Sequence, residues 1–168
     1  MDNSIIIAQK FNYQNHLKDL SKNFGKEIAL TVSNVFVLIQ ELIDITPERI
    51  LINYKKEGIH GNTGDIRDAR KIAIMAVKKT HLRLSLNNLG KIFNRDHSSI
   101  IHSFKTHQNY MESKSSQDVF YQAIFQKVLN GVFIPKKEDS KTFTKRLYSY
   151  KEVVWILELN GVKNPIFI

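Results

Sequence analysis

The chain has no cysteine among its 168 residues, which excludes both a disulfide framework and a thiolate metal site. Three prolines and seven glycines are few enough to leave long stretches free for uninterrupted helices. No apolar run approaches the roughly 20 residues that a bilayer-spanning helix needs. The segment Ser4 to Ala8, S-I-I-I-A, is too short for a signal-peptide core and has no basic flank before it. A cytoplasmic protein is the expectation. A phosphate-binding loop is missing too: Gly58, Gly61 and Gly64 are spaced by three, with no Lys-Ser/Thr after them and no strand before them. They fit a loop whose backbone turns or approaches a ligand closely. His97, His102 and His107 are spaced by five, so they drift around a helix instead of stacking as metal ligands do at i, i+4. No carboxylate pair joins a His or Ser in a recognisable triad. The expectation is therefore no metal, no cofactor and no enzyme.

Acidic residues are also scarce in one region. The formal charge is +9, and residues 54–105 carry 11 Lys/Arg against 4 Asp/Glu, whereas residues 1–53 carry 5 against 6 and residues 106–168 carry 9 against 6. A localised basic zone is the electrostatic footprint of a polyanion binder, although a solvated lysine-rich surface has the same composition.

What is present reads as helix, because Val, Ile and Phe recur at spacings of three and four. The pattern predicts a helix from Asn3 to Phe24 ending at Gly25, with Ile6, Ile7, Phe11, Leu17 and Leu20 needing a partner. A second runs from Lys26 to Asp44, apolar at Ile28, Val32, Val35, Phe36, Ile39, Leu42 and Ile43. Thr46-Pro47 restarts the chain, Thr as N-cap and Pro at the first helical position, into a short helix through Ile52. After the loop Tyr54 to Gly64, Asp65 caps a helix to about His81 with its buried stripe at Ile66, Ala69, Ile72, Ala73, Ala76 and Val77. Ser85 caps a short helix containing Leu86, Leu89 and Phe93, which Asn94 breaks. The next runs from about Asp96 to Met111. Ser115 or Ser116 caps another, through Val119, Phe120, Ile124, Val128 and Leu129, stopping at Gly131. Residues 132–147 read as a linker, and Ser149 with Glu152 forms a capping box for a last helix, Tyr150 to Asn160, holding the only Trp, Trp155. The expected organisation is an N-terminal helix over 1–27, a helical domain over 28–131, and a linker with a C-terminal helix over 132–168.

One stretch carries chemistry: Phe93 to His102, F-N-R-D-H-S-S-I-I-H. From Asp96 onward, Ile100, Ile101 and Phe104 form an apolar stripe, while Ser98, His102 and Lys105 lie at i, i+4 and i+7 on a polar face. Arg95, Asp96 and Ser99 cluster at the helix start. These types suit a duplex: Ser hydroxyls serve a base or a phosphate, Asp accepts from cytosine N4, and Arg pairs with guanine or phosphate. A helix N-terminus also favours phosphate. Asp96 as a simple cap is the plainer alternative, and the short turn after a basic helix is what favours a helix-turn-helix.

These residues and their flanks resemble the C-terminal DNA-binding domain of the bacterial replication initiator DnaA. I-T-P-E-R-I-L-I, Ile45 to Ile52, looks like the segment after that domain's first helix. I-R-D-A-R-K-I-A-I-M-A, Ile66 to Ala76, is similar to the family's R-x-R-Q-x-A-M-x-L helix. S-L-N-N-L-G-K-I-F-N-R-D-H-S-S-I-I, Ser85 to Ile101, resembles S-L-x-x-I-G-x-x-F-G-x-R-D-H-T-T-V, one residue shorter before Arg95. The likeness covers about 100 of the 168 residues. It implies an all-α, multi-helix fold with a helix-turn-helix, of the initiator-terminal or Trp-repressor-like kind, with extra helices at both ends. It implies binding to double-stranded DNA, with Arg95, Asp96, His97, Ser98 and Ser99 reading bases. Arg70 matches a family phosphate contact, with Lys71 where the family usually has Gln, and Lys78, Lys79, Lys91, His102 and Lys105 are further backbone candidates. Lys55, Lys56, His60 and Asn62 occupy the loop that the family places near the minor groove.

The departures bear on the target. Both family threonines are serines, which removes methyls that pack on a thymine methyl. Asn62 stands about where the family offers an arginine to the minor groove, and Asp68 replaces a usually basic position. Only 27 residues precede Ile28, too few for the initiator's ATPase domain, so a stand-alone DNA-binding protein is expected. Its setting would be the nucleoid, in replication-initiation control or transcription. A competing reading is a protein-interaction module on the same fold that has lost specific DNA binding, with self-association or a protein partner at the terminal helices. RNA is a weaker third, since no interleaved aromatic platform is present.

Overall fold

The computed structural model describes residues 11–53 and 63–132. Every regular element among them is a helix: α1 (Tyr13–Phe24), α2 (Lys26–Ile43), α3 (Pro47–Leu51), α4 (Gly64–Thr80), α5 (Leu86–Ile92), α6 (His97–Glu112) and α7 (Ser116–Val132). The chain is thus all-α, as its spacing predicts. The sequence-predicted capping box and helix at 149–160, the loop residues Lys55, Lys56, His60 and Asn62, and the apolar Ile6 and Ile7 lie outside the described residues.

Helix α4 is the axle. It packs against α2, α3, α6 and α7. That explains why its buried set exceeds the expected stripe: Ile74 and Met75 are buried along with Ile66, Ala69, Ile72, Ala73, Ala76 and Val77. The three alanines keep the facing helices close without leaving voids. Around it, Val32, Val35, Phe36 and Ile39 of α2 and Phe125 and Val128 of α7 are fully buried. An aromatic run, Tyr13 to Phe36 to Phe93, with ring centroids 5.8 and 6.1 Å apart and edge-to-face, joins α1 and α2 to the end of α5. Such pairs add about 0.5–1.5 kcal/mol each beyond their buried area.

Several boundaries move from their expected places. The first described helix begins at Tyr13, because the Asn12 side chain accepts the Asn15 N–H at 2.9 Å and caps it there; the expected start at Asn3 lies outside the described residues. Pro47 is at the first position of α3, but Thr46 makes no side-chain cap. Helix α4 starts at Gly64 with Thr63 as cap residue, so Asp65 sits inside the first turn, where its charge favours the helix's positive end. Ser115, not Ser116, caps α7, its Oγ accepting the Asp118 N–H at 3.2 Å. Val119 and Phe120 are exposed, at 50% and 62%, and Tyr121 takes the buried position instead. Gly131 does not stop α7, which continues to Val132. It is small for a packing reason: a Cβ there would lie 2.8 Å from the Leu38 side chain on α2.

Candidate nucleic-acid interface

The turn between α5 and α6 is closed by backbone. Ser85 starts α5, its Oγ accepting the Asn88 N–H at 3.1 Å. Four residues after Leu86, the Gly90 carbonyl accepts the Arg95 N–H at 2.8 Å, and a Cβ on Gly90 would stand 2.6 Å from the Arg95 carbonyl oxygen. Only glycine fits that crossing. Phe93 is fully buried as the turn's anchor. Asn94 has φ 51°, a left-handed conformation that asparagine tolerates better than most residues.

Asp96 then caps α6. Its carboxylate accepts the Ser99 N–H at 2.6 Å and the Ser99 hydroxyl at 3.0 Å. The Ser99 amide first, and then its hydroxyl, hold the Asp96 carboxyl below the usual aspartate range. Both oxygens are therefore used inside the helix start, and Asp96 orients α6 whatever else it meets. Past the cap, the polar face falls where its spacing predicts, but the buried face turns: of the expected stripe Ile100, Ile101 and Phe104, only Ile100 is fully buried, and the other two are half-buried. Ile100, Ser103 and His107 are buried, whereas His97, Ser98, His102 and Lys105 are exposed. Ser99 is half-buried. The histidines do diverge: His97 and His102 face outward, and His107 Nδ1 lies 2.7 Å from the Tyr121 hydroxyl in the interior. Burial, with Lys79 nearby, lowers the His107 pKa to about 4, so the ring is neutral at pH 7.

The basic side chains divide sharply. Arg70 is 9% exposed and its Nε donates to the Ile50 carbonyl at 2.7 Å. Arg95 reaches the same place, donating to the Ile52 carbonyl at 2.5 Å and to Ile50 and Leu51 at 3.4 Å each. The last carbonyls of α3 have no partner within that short helix, so two guanidinium groups from α4 and from the α5–α6 turn cap it. Lys71, 8% exposed, pairs with Asp68 at 2.7 Å and lies over the Tyr110 ring at 4.4 Å. Lys78 donates to the Leu82 and Leu84 carbonyls at 2.5 and 2.7 Å, closing the end of α4. Lys79 is exposed beside α7, its Nζ 5.8 Å from the Phe125 ring centre. Lys91 borders a shallow pocket shared with His16 and Asp19 of α1. Of the sequence-predicted backbone contacts, Arg70, Lys71 and Lys78 are thus committed to internal partners. Arg95, expected as a base reader, is half-buried and braces α3.

An open groove of about 1110 Å³ runs beside the exposed face of α6. Ser98, Ser99 and His102 line one wall, the first two turns of α4 another, and the start of α7, with Phe120, the third. Arg67 lies on the α4 wall and is exposed. Sequence reasoning passed over it in favour of Arg70 and Lys71. The available signal was its phase: the buried positions Ile66, Ala69 and Ala73 leave residue 67 on the outer face of an α-helix. Among the described residues no helix is long and apolar enough to cross a membrane. No family model, curated protein or solved structure matches the chain.

Proposed function

We propose that the chain is a non-enzymatic, sequence-selective double-stranded-DNA-binding protein that inserts the start of α6 into the major groove. The observation that carries this reading is the exposed Ser98, His102 and Lys105 edge of α6, held at the end of a turn closed by Gly90 and capped by Asp96. Such a turn presents the first residues of the second helix to base edges. The resemblance of Ser85 to Ile101 to the replication initiator's DNA-binding domain supports it independently, and points to replication-initiation control or transcription regulation at the nucleoid. Because Arg95 and Asp96 have internal work, His97 and Ser98 are the side chains best placed to discriminate bases. Selection from a random duplex library, followed by affinity at several salt concentrations, tests the proposal. Enrichment of one motif, lost in Ser98→Ala, supports it; equal recovery of all duplexes sinks sequence selectivity.

A protein-interaction module on the same scaffold is the second reading, and one observation favours it. Val119 and Phe120 stand exposed at the head of α7. Under that reading the duplex produces no salt-dependent shift, and Phe120→Ser abolishes a protein contact instead.

A further inference from the structure

We propose that Arg67 is the backbone anchor of the interface, gripping the DNA strand that runs in the groove between α4 and α6. The inference rests on the DNA-binding reading and adds a residue to it. Three observations lead there. Arg67 is exposed and lines the same groove as Ser98, Ser99 and His102, so a duplex on α6 brings a sugar–phosphate strand against the α4 wall. The other cations lining that groove are already occupied: Lys71 by Asp68 and the Tyr110 ring, Arg70 by the Ile50 carbonyl, Arg95 by the carbonyls of α3. Among the described residues, no hydrogen bond or ion pair engages the Arg67 guanidinium, which is left to meet a ligand.

The surroundings specify phosphate over base. Arg67 stands on the wall facing the recognition helix, and an element flanking the major groove meets the backbone, which positions the protein without reading sequence. Two acids neighbour it on α4. Asp68 is neutralised by Lys71 at 2.7 Å. Asp65 lies in the first turn, where the helix's positive end offsets its charge. A planar guanidinium also suits phosphate better than an ammonium, since it can donate two parallel hydrogen bonds.

The test is a salt titration of duplex affinity for the unaltered chain, Arg67→Ala, Arg67→Lys, Ser98→Ala and Lys22→Ala. Arg67→Ala should weaken every duplex alike, by about tenfold, and flatten the slope of log affinity against log salt by about 0.9, the counterion share of one phosphate contact. Arg67→Lys should restore the slope and much of the affinity. Ser98→Ala should change the sequence preference at nearly constant slope, and Lys22→Ala, on α1, should change neither. An unaltered slope in Arg67→Ala, or an altered sequence preference, overturns the anchor while leaving DNA binding intact. Absence of duplex binding by the unaltered chain overturns both.

Discussion

The basic side chains around the groove have opposite uses. On α4 and in the turn, Arg70, Lys71 and Arg95 point inward and satisfy carbonyls, a carboxylate or a ring. On the outer faces, Arg67 of α4 and Lys105 of α6 are exposed. In the sequence these residues form one basic zone. In the fold they separate into a set that stabilises the protein and a set available to a polyanion. Net charge therefore overstates the charge that this region offers to a ligand, and under the proposed function substitutions act on two axes, stability and affinity.

The largest effect expected from that division is on the interior side. Arg70→Ala should lower unfolding free energy by about 3 kcal/mol, because a buried carbonyl loses its charged donor and the arginine stem leaves a void. Urea denaturation measures it, and a loss under about 0.5 kcal/mol would erase the distinction between the inward and outward sets. Next comes Gly90→Ala, with a cost of roughly 1–3 kcal/mol from forcing a methyl against the Arg95 carbonyl; thermal unfolding should show it, and DNA affinity should fall in proportion to the folded fraction or more. Ser98→Ala belongs to the exposed set. Stability should stay within about 0.5 kcal/mol, whereas preference for the selected duplex should fall by about 1–3 kcal/mol. Lys78→Ala sharpens the comparison: the lysine is tied to two carbonyls, so stability should drop by about 1 kcal/mol with no change in salt slope. A flattened slope would return Lys78 to the binding set.

His107 supplies a pH test of the interior. Its folded pKa is lowered to about 4 while the unfolded ring titrates near 6.5, so the unfolded chain takes up the proton first as pH falls. Stability contributed by the neutral ring is complete above about 6.5, declines through the window down to about 4, and levels off below it. Unfolding midpoints of the chain and of His107→Phe, measured across that window, should converge as pH falls. Parallel curves would show that His107 does not titrate there. The smallest expected effect is Asp68→Asn, which removes one acid from the groove and releases Lys71; duplex affinity should rise by a few-fold at low salt and by less at high salt.

Local signals were legible in the sequence and distant ones were not. Ser85, Asp96 and Pro47 announce helix starts through rules spanning three or four residues, and the structure places helices there. The outward face of α6 followed from helical spacing in the same way. The fate of the arginines did not, because their partners are carbonyls 20 residues away for Arg70 and 43 to 45 away for Arg95. No pattern around residue 95 reports that α3 ends short and needs caps. Gly131 reads as a stop because glycine commonly ends helices; its true reason, the Leu38 side chain on α2, is tertiary. Apolar spacing admits two neighbouring stripes on α7, and only packing of the Tyr121 ring against His107 and Tyr110 of α6 selects the one through Tyr121 over Phe120.

The paired guanidinium groups on Ile50 and Ile52 also have a consequence for how the chain tolerates change. They pin the backbone where it leaves α3, and α4 pins it again from Gly64. A change within α3 that displaced the Ile50 or Ile52 carbonyl would therefore loosen α4 and the α5–α6 turn along with it.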